Sequence, residues 1–130
     1  MKKAISSAID SGTLGDDIYK DCPITNKLEQ KIADLTGKQA SIFCPSGTQT
    51  GLLSMMLSAP LKGQSVIMGN LSHIMNHEQC GSAAFGSIMP TIIPNQLDGT
   101  LLISDLEKVI PQFVDPHVVP TTAIALESSQ

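Results

Sequence analysis

The sequence predicts an α/β fold with a mostly parallel sheet and helices on both faces. Four short apolar runs, at residues 39–44, 65–68, 87–93 and 121–126, have the length of strands. They are apolar throughout rather than alternating, as strands buried on both faces of a parallel sheet are. Stretches with helical spacing separate the runs, and this alternation of strand and helix is typical of α/β domains.

Local patterns predict where the helices begin and end. The first helix covers 2–10 and ends near Gly12, since glycine is a common helix stop. Asn26, with Glu29 three residues later, forms a capping box for a second helix that ends at Gly37. Further helices are expected over 48–59, over the first part of 71–84, and after a capping box at 104–107, with a stop by residue 111.

Composition limits the classes of function. The chain has 130 residues, of which 42% are hydrophobic, so it can bury a core and is not disordered. Only 15% are charged, which indicates surface that the rest of a larger chain or a second subunit covers. The net charge is −4 and arginine is absent. Nucleic-acid binding is therefore not expected, because arginine forks and basic stripes dominate such surfaces.

The cysteines and the N-terminus predict a cytoplasmic protein. Cys22, Cys44 and Cys80 lie far apart, which fits neither a disulfide framework nor a zinc knuckle. A reducing compartment suits free cysteines. The polar start does not resemble a signal peptide, and no apolar run has the length of a membrane span. We therefore expect no membrane partner.

The turn Pro45-Ser46-Gly47-Thr48 lies between a predicted strand and a predicted helix. A helix N-terminus presents unpaired N–H groups and a partial positive charge, so Ser46, Gly47 and Thr48 could cradle a phosphate without arginine. The alternative is an ordinary strand-to-helix turn with a hydroxyl cap. The spacing of glycines matches neither a P-loop nor a nucleophile elbow.

Two histidines follow the second predicted strand, and their spacing leaves three interpretations open. His73 and His77 are one helical turn apart, which would suit a zinc pair, but a third ligand is needed and the HExxH order is absent. His77 could simply be structural. His73, at the mouth of the sheet, could stack its ring on an aromatic cofactor. The polar loop holding Asp16, Asp17 and Tyr19 is either functional or a solvated linker.

Together these segments resemble the threonine aldolase and β-eliminating lyase family, in the aspartate-aminotransferase-like fold. The resemblance covers nearly the whole chain in the same order. It is carried by three segments: GDDIYKDCPITNKLEQKIADLTGKQASIFCPSGTQTGLLSMM, NLSHIMNHEQCGSAA, and the LDGTL–SDLEKVI run. It implies that residues 1–130 are the N-terminal part of a lyase domain. Residues 1–25 would form a helix and an active-site loop, and 26–130 the start of the large α/β domain.

The resemblance also implies roles for individual residues. Ser46, Gly47 and Thr48 match the turn that binds the phosphate of pyridoxal 5′-phosphate, and no metal is implied. His73 matches the histidine that stacks on the pyridine ring and assists proton transfer, which would make it both cofactor-binding and catalytic. The loop of Asp16, Asp17 and Tyr19 is similar to one near the active site at a subunit boundary. Gln130 stands where the family usually has a histidine, and glutamine cannot donate a proton as an acid.

The implied activity is cleavage of L-threonine or L-allo-threonine to glycine and acetaldehyde by a homo-oligomer, a dimer or a tetramer. The Schiff-base lysine, the aspartate that pairs with the ring nitrogen and the substrate-binding arginine would lie beyond Gln130. We therefore expect the 130-residue chain alone to be inactive. The alternatives are a non-catalytic truncated isoform or partner-binding fragment, another lyase of this fold, or a small anion-binding module.

Overall fold

The computed structural model describes residues 1–12 and 14–128. The chain divides into two compact units, Met1–Pro45 and Ser46–Gln130. No helix in the described part of the chain is both long and apolar enough to cross a membrane.

The first unit contains helix α1 (Lys2–Asp10), a short 3-10 helix (Asp17–Tyr19) and helix α2 (Pro23–Thr36). The predicted bounds of α1 are confirmed. The predicted start of α2 at Asn26 is wrong, because the helix begins at Pro23, whose fixed φ suits the first helical position. The Asn26 carboxamide instead donates to the carbonyl of Lys20 at 2.7 Å. Gly37 ends α2 at a φ of 64°, as predicted.

The predicted strand over 39–44 is wrong. This segment is irregular, and none of the strands in the described residues pairs with it. It is tied to α2 instead: the hydroxyl of Ser41 donates to the Glu29 carbonyl at 2.6 Å, and the N–H of Phe43 donates to the Glu29 carboxylate at 2.8 Å. Apolar residues alone do not make a strand without a neighbour to accept the backbone hydrogen bonds.

The second unit is built on a three-stranded parallel sheet. Strand β1 (Ser65–Gly69) lies in the middle, with β2 (Met89–Ile93) on one edge and β3 (Thr121–Ala125) on the other. Three of the four predicted strands are therefore present, and the predicted parallel α/β fold is confirmed.

Four helices accompany this sheet: α3 (Gly47–Ser58), α4 (His73–Asn76), α5 (Gly81–Ala84) and α6 (Ile103–Val109). The helical stretch expected after β1 is two short helices, because Gln79 and Cys80 between them adopt positive φ values of 49° and 59°. Helix α6 forms as expected, but its N-cap is Leu102 and no side chain caps it, so the predicted capping box is wrong.

The core lies between β1 and the helices that contact the sheet. Every residue of β1 is buried. Val66 and Met68 cluster with Met55 of α3, with Ala59 and with Ile88. Helix α3 is only partly covered, since Met55 is its buried residue while Leu57 is 81% exposed.

The carboxyl ends of β1 and β2 are joined by a carboxamide network around Asn95. The Asn95 side-chain oxygen accepts from the N–H of Leu71 at 2.9 Å, and its NH₂ group donates to Gly99 at 3.1 Å. The Asn95 N–H in turn donates to the side chain of Asn70 at 2.8 Å. This network fixes the path of the chain from β1 towards α4.

Gly69 is the residue that makes room for this network. A Cβ atom at position 69 would collide with the Asn95 carboxamide. We expect Gly69→Ala to destabilise the protein by about 1–3 kcal/mol, the usual cost of overpacking a filled site. Chemical denaturation measures this difference. The control is Gly81→Ala, whose new methyl would meet only Phe85 Cδ2 at 4.0 Å; equal losses in both variants would contradict the role of Gly69.

Candidate functional site

The candidate site is formed by segments that leave the sheet at the carboxyl ends of its strands, where ligands bind in parallel α/β sheets. His73 follows β1, Asn95 follows β2 and Glu127 follows β3. The N-terminus of α3 carries the predicted phosphate-binding turn. All four features belong to the unit Ser46–Gln130.

The turn is a well-formed helix N-cap. Ser46 is extended, and its hydroxyl oxygen accepts from the N–H of Gln49 at 3.1 Å. The Ser46 carbonyl accepts from the N–H of Thr50 at 3.2 Å. The ordinary capping interpretation is thus correct as far as local structure goes. It does not exclude ligand binding, because a cap satisfies only part of a helix N-terminus.

Donors remain free at this turn. Gly47 and Thr48 are the first two helical residues, and within the described chain their N–H groups have no acceptor. Both residues are exposed, and a Cβ atom on Gly47 would meet nothing within 4 Å. Two free N–H groups, a positive helix end and open space above a glycine fit a phosphate group.

His73 is the first residue of α4, and its ring is held by a carboxylate. The Nδ1 atom lies 3.0 Å from Oε1 of Glu78. The His73 side chain is 57% exposed, whereas that of Glu78 is only 7% exposed. The imidazole is therefore exposed to solvent, while its Nδ1 atom is hydrogen-bonded to a buried carboxylate. Glu78 was given no role from the sequence, because a spacing of five residues does not place its side chain beside that of His73 on a regular helix.

The two histidine rings lie close together, as their spacing predicted. Their centroids are 5.3 Å apart with planes inclined by 49°. No group of three histidine, cysteine or acidic side chains converges to hold a metal anywhere in residues 1–12 and 14–128. The zinc interpretation therefore lacks its third ligand in that part of the chain.

Glu127 caps the helix that carries His73. Its Oε1 accepts from the backbone N–H of His73 at 2.7 Å. Ser72 occupies the N-cap position, yet its side chain makes no capping bond. The end of β3 thus anchors α4 across 54 residues of sequence. No local pattern could have revealed this contact.

Helices α3 and α4 contact each other, which brings the turn and the histidine onto touching elements. A Cβ atom on Gly51 of α3 would lie 3.3 Å from Oε1 of Glu78 and 3.7 Å from Cγ1 of Ile74 in α4. Gly51 is one helical turn beyond Gly47. The turn and the His73–Glu78 pair are therefore parts of one packed arrangement.

The loop of Asp16, Asp17 and Tyr19 belongs to the other unit. The Asp16 carboxylate accepts from the N–H of Ile18 at 3.0 Å and caps the 3-10 helix, while Tyr19 is 74% exposed. Nearby, hydrogen bonds from the hydroxyl and the N–H of Thr25 lower the pKa of Cys22 to about 7. Gln130, predicted to replace a family histidine, lies outside the described residues.

Comparison with known proteins identifies the family. The model of the beta-eliminating lyases matches residues 2–130. The chain belongs to the beta-eliminating lyase family. It is 37% identical over 128 residues to the low specificity L-threonine aldolase of Escherichia coli K12, covering 98% of this chain and 38% of that protein. It is 33% identical over 130 residues to the probable low-specificity L-threonine aldolase 2 of Arabidopsis thaliana, covering 98% and 36% respectively.

A crystal structure from Listeria monocytogenes, assigned as an L-allo-threonine aldolase, shares the fold. It superposes with a TM-score of 0.61 at 27% identity, over 78% of this chain and 26% of that one. The chain spans roughly a third of the length of the curated relatives named above, 38% and 36%. Lyases of this family depend in general on pyridoxal phosphate, so the fit of the turn to a phosphate group agrees with the family.

The Glu127 cap can be tested by mutation. We expect Glu127→Ala to destabilise the protein by about 1 kcal/mol, as loss of a helix N-cap does, and to speed hydrogen exchange at the His73 amide. Glu127→Gln keeps a carbonyl acceptor and is expected to lose less. Glu107→Ala, on the exposed face of α6, is the control. An unchanged His73 exchange rate in Glu127→Ala would rule out the cap.

Proposed function

We propose that this chain supplies the phosphate-binding turn and the ring-facing histidine of a pyridoxal-phosphate-dependent lyase of the threonine aldolase type. The observation that carries the proposal is the pair of free N–H groups of Gly47 and Thr48. They lie at the end of a helix that contacts the helix bearing His73. The match to two threonine aldolases across almost the whole chain supports the same assignment.

The reaction we propose for the whole protein is cleavage of L-threonine or L-allo-threonine to glycine and acetaldehyde. The chemistry that bound pyridoxal phosphate supplies is uptake of the electron pair released when a bond to the substrate Cα breaks. The N–H groups of Gly47 and Thr48, with the hydroxyls of Ser46 and Thr48, would bind and orient the phosphate. His73 would contact the cofactor ring and hold or move a proton at its free nitrogen.

Other properties of the whole protein follow from the same proposal. The assembly would be a homo-oligomer with residues 1–25 contributing a helix and an active-site loop, and residues 26–130 beginning the large domain. The compartment would be the cytoplasm, which suits the free cysteines Cys22, Cys44 and Cys80. Measuring the mass of the full-length protein in solution tests whether it is a homo-oligomer.

The phosphate turn makes a sharp prediction. In the full-length protein, we expect Thr48→Asp to weaken pyridoxal phosphate binding at least tenfold, equivalent to about 1.4 kcal/mol, because two anions would compete for the same N–H donors. If the turn were only a cap, the same change would be neutral or stabilising by up to about 1 kcal/mol. Only the phosphate-binding interpretation therefore predicts a loss of cofactor affinity in Thr48→Asp.

The measurement is an absorbance titration with the cofactor beside a thermal melt of the apo protein. Thr48→Asn is the matched control, since it has the shape of aspartate without its charge. Wild-type cofactor affinity in Thr48→Asp, with no loss of thermal stability, would leave the turn as a cap and remove the main support for the cofactor.

The histidine makes a second prediction. In the full-length protein, we expect His73→Ala to lower turnover by about 10²–10⁴-fold, the range of a proton-transfer group. We also expect a lower melting temperature, because the buried Glu78 carboxylate loses its hydrogen-bond partner. His77→Ala, which removes the neighbouring ring, is the control. Steady-state kinetics with threonine measures the turnover of each variant. A turnover of His73→Ala equal to that of the wild type would show that His73 is a structural residue.

A further inference from the structure

The carboxylate of Glu78 has a single polar partner in the described chain. Its side chain is 7% exposed, and its hydrogen bond at 3.0 Å goes to Nδ1 of His73. Burying an ionised carboxylate is costly unless a donor satisfies it. An ionised carboxylate oxygen only accepts hydrogen bonds, so with Glu78 ionised the proton of this contact lies on Nδ1.

The consequence for the imidazole concerns its other nitrogen. When a neutral ring carries its hydrogen on Nδ1, the Nε2 atom has a free lone pair. No hydrogen bond to Nε2 of His73 occurs among the described residues, and the side chain is 57% exposed. The accessible nitrogen of His73 is therefore the one able to accept a proton.

A glycine in α3 provides the space for the carboxylate. A Cβ atom on Gly51 would lie 3.3 Å from Oε1 of Glu78, tighter than most Cβ contacts, and 3.4 Å from Oε2, at the near limit of ordinary van der Waals contact. Glycine is also among the least favourable residues in the interior of a helix. Close packing of the α3 backbone against this carboxylate gives a physical reason for glycine at a position within α3.

We propose that Glu78 is a positioning residue that holds His73 in the Nδ1–H tautomer and leaves Nε2 free to accept a proton, with Gly51 supplying the room. The inference deepens the proposed function and rests on it only for its catalytic consequence. The tautomer can be measured without cofactor or substrate. Failure of the cofactor titration and failure of this inference are therefore separate outcomes.

The experiment is a long-range ¹H–¹⁵N correlation spectrum of the ¹⁵N-labelled chain, recorded about two pH units above the ordinary histidine pKa of ~6.5. We expect His73 of the wild type to show a protonated Nδ1 and an unprotonated Nε2. In Glu78→Ala we expect its signals to move to the averaged position of a ring that exchanges between tautomers. A wild-type spectrum with hydrogen on Nε2 overturns the proposal, whether or not the variant folds.

His117 provides an internal control in the same spectrum. Its Nδ1 lies 3.0 Å from the carboxylate of Asp115, a pairing that does not involve Glu78. Its signals should be unchanged in Glu78→Ala, whereas His73 signals that equal those of the wild type overturn the proposal. His77→Ala assigns the neighbouring ring and should leave the His73 tautomer as it is; a tautomer change there would transfer the role to His77.

Gly51→Ala tests the packing part of the proposal while Glu78 and His73 stay in place. The added methyl should push the carboxylate away and move the His73 signals part of the way towards the averaged position. Signals identical to those of the wild type contradict the role of Gly51. Far-ultraviolet circular dichroism of each variant confirms that the compared chains are folded.

Discussion

The geometry of the candidate site depends on β1 being hydrogen-bonded along both of its edges. Parallel pairing with β2 and β3 makes all three strands end on the same side of the sheet. The segments that follow them are therefore brought together although they are distant in sequence. His73, Asn95 and Glu127 each come just after one strand, and their hydrogen bonds join the three exits into one framework.

The framework satisfies its carboxylates with donors and leaves other donors free for a ligand. Glu78 is hydrogen-bonded to an imidazole nitrogen, and Glu127 accepts a hydrogen bond from a backbone N–H, so neither acidic group competes for the helix end of α3. No arginine exists anywhere in the sequence. The main-chain N–H groups of the turn, unlike flexible cationic side chains, have a direction fixed by the helix.

Features encoded by short stretches could be predicted from the sequence. The strands at 65–69, 89–93 and 121–125, helix α1 and the glycine end of α2 follow from composition and local stops, and they appear where expected within a few residues. The first residues of the helices were harder to predict than the strands and the helix ends. Asn26 and Ser104 both have capping chemistry, yet the helices begin at Pro23 and Ile103, and no side chain caps either start.

Contacts between distant residues could not be predicted from spacing. The segment 39–44 is apolar enough for a strand, but strand formation requires a partner, and a single sequence does not identify one. For the candidate site, the turn and His73 were proposed because each follows an apolar run. Glu127 and Asn95 were not given their structural roles, since these depend on how the strand exits converge.

The cap on α4 has a consequence for synthesis on the ribosome. The Ser46–Gln49 bond closes within three residues, so the turn can form as soon as it leaves the exit tunnel. The bond from His73 to Glu127 must wait for 54 further residues, roughly 3 to 11 seconds at typical elongation rates of about 5–20 residues per second. A nascent chain thus acquires its capped turn first and its anchored histidine last. A ribosome that stalls in this interval exposes the capped turn without the anchored histidine.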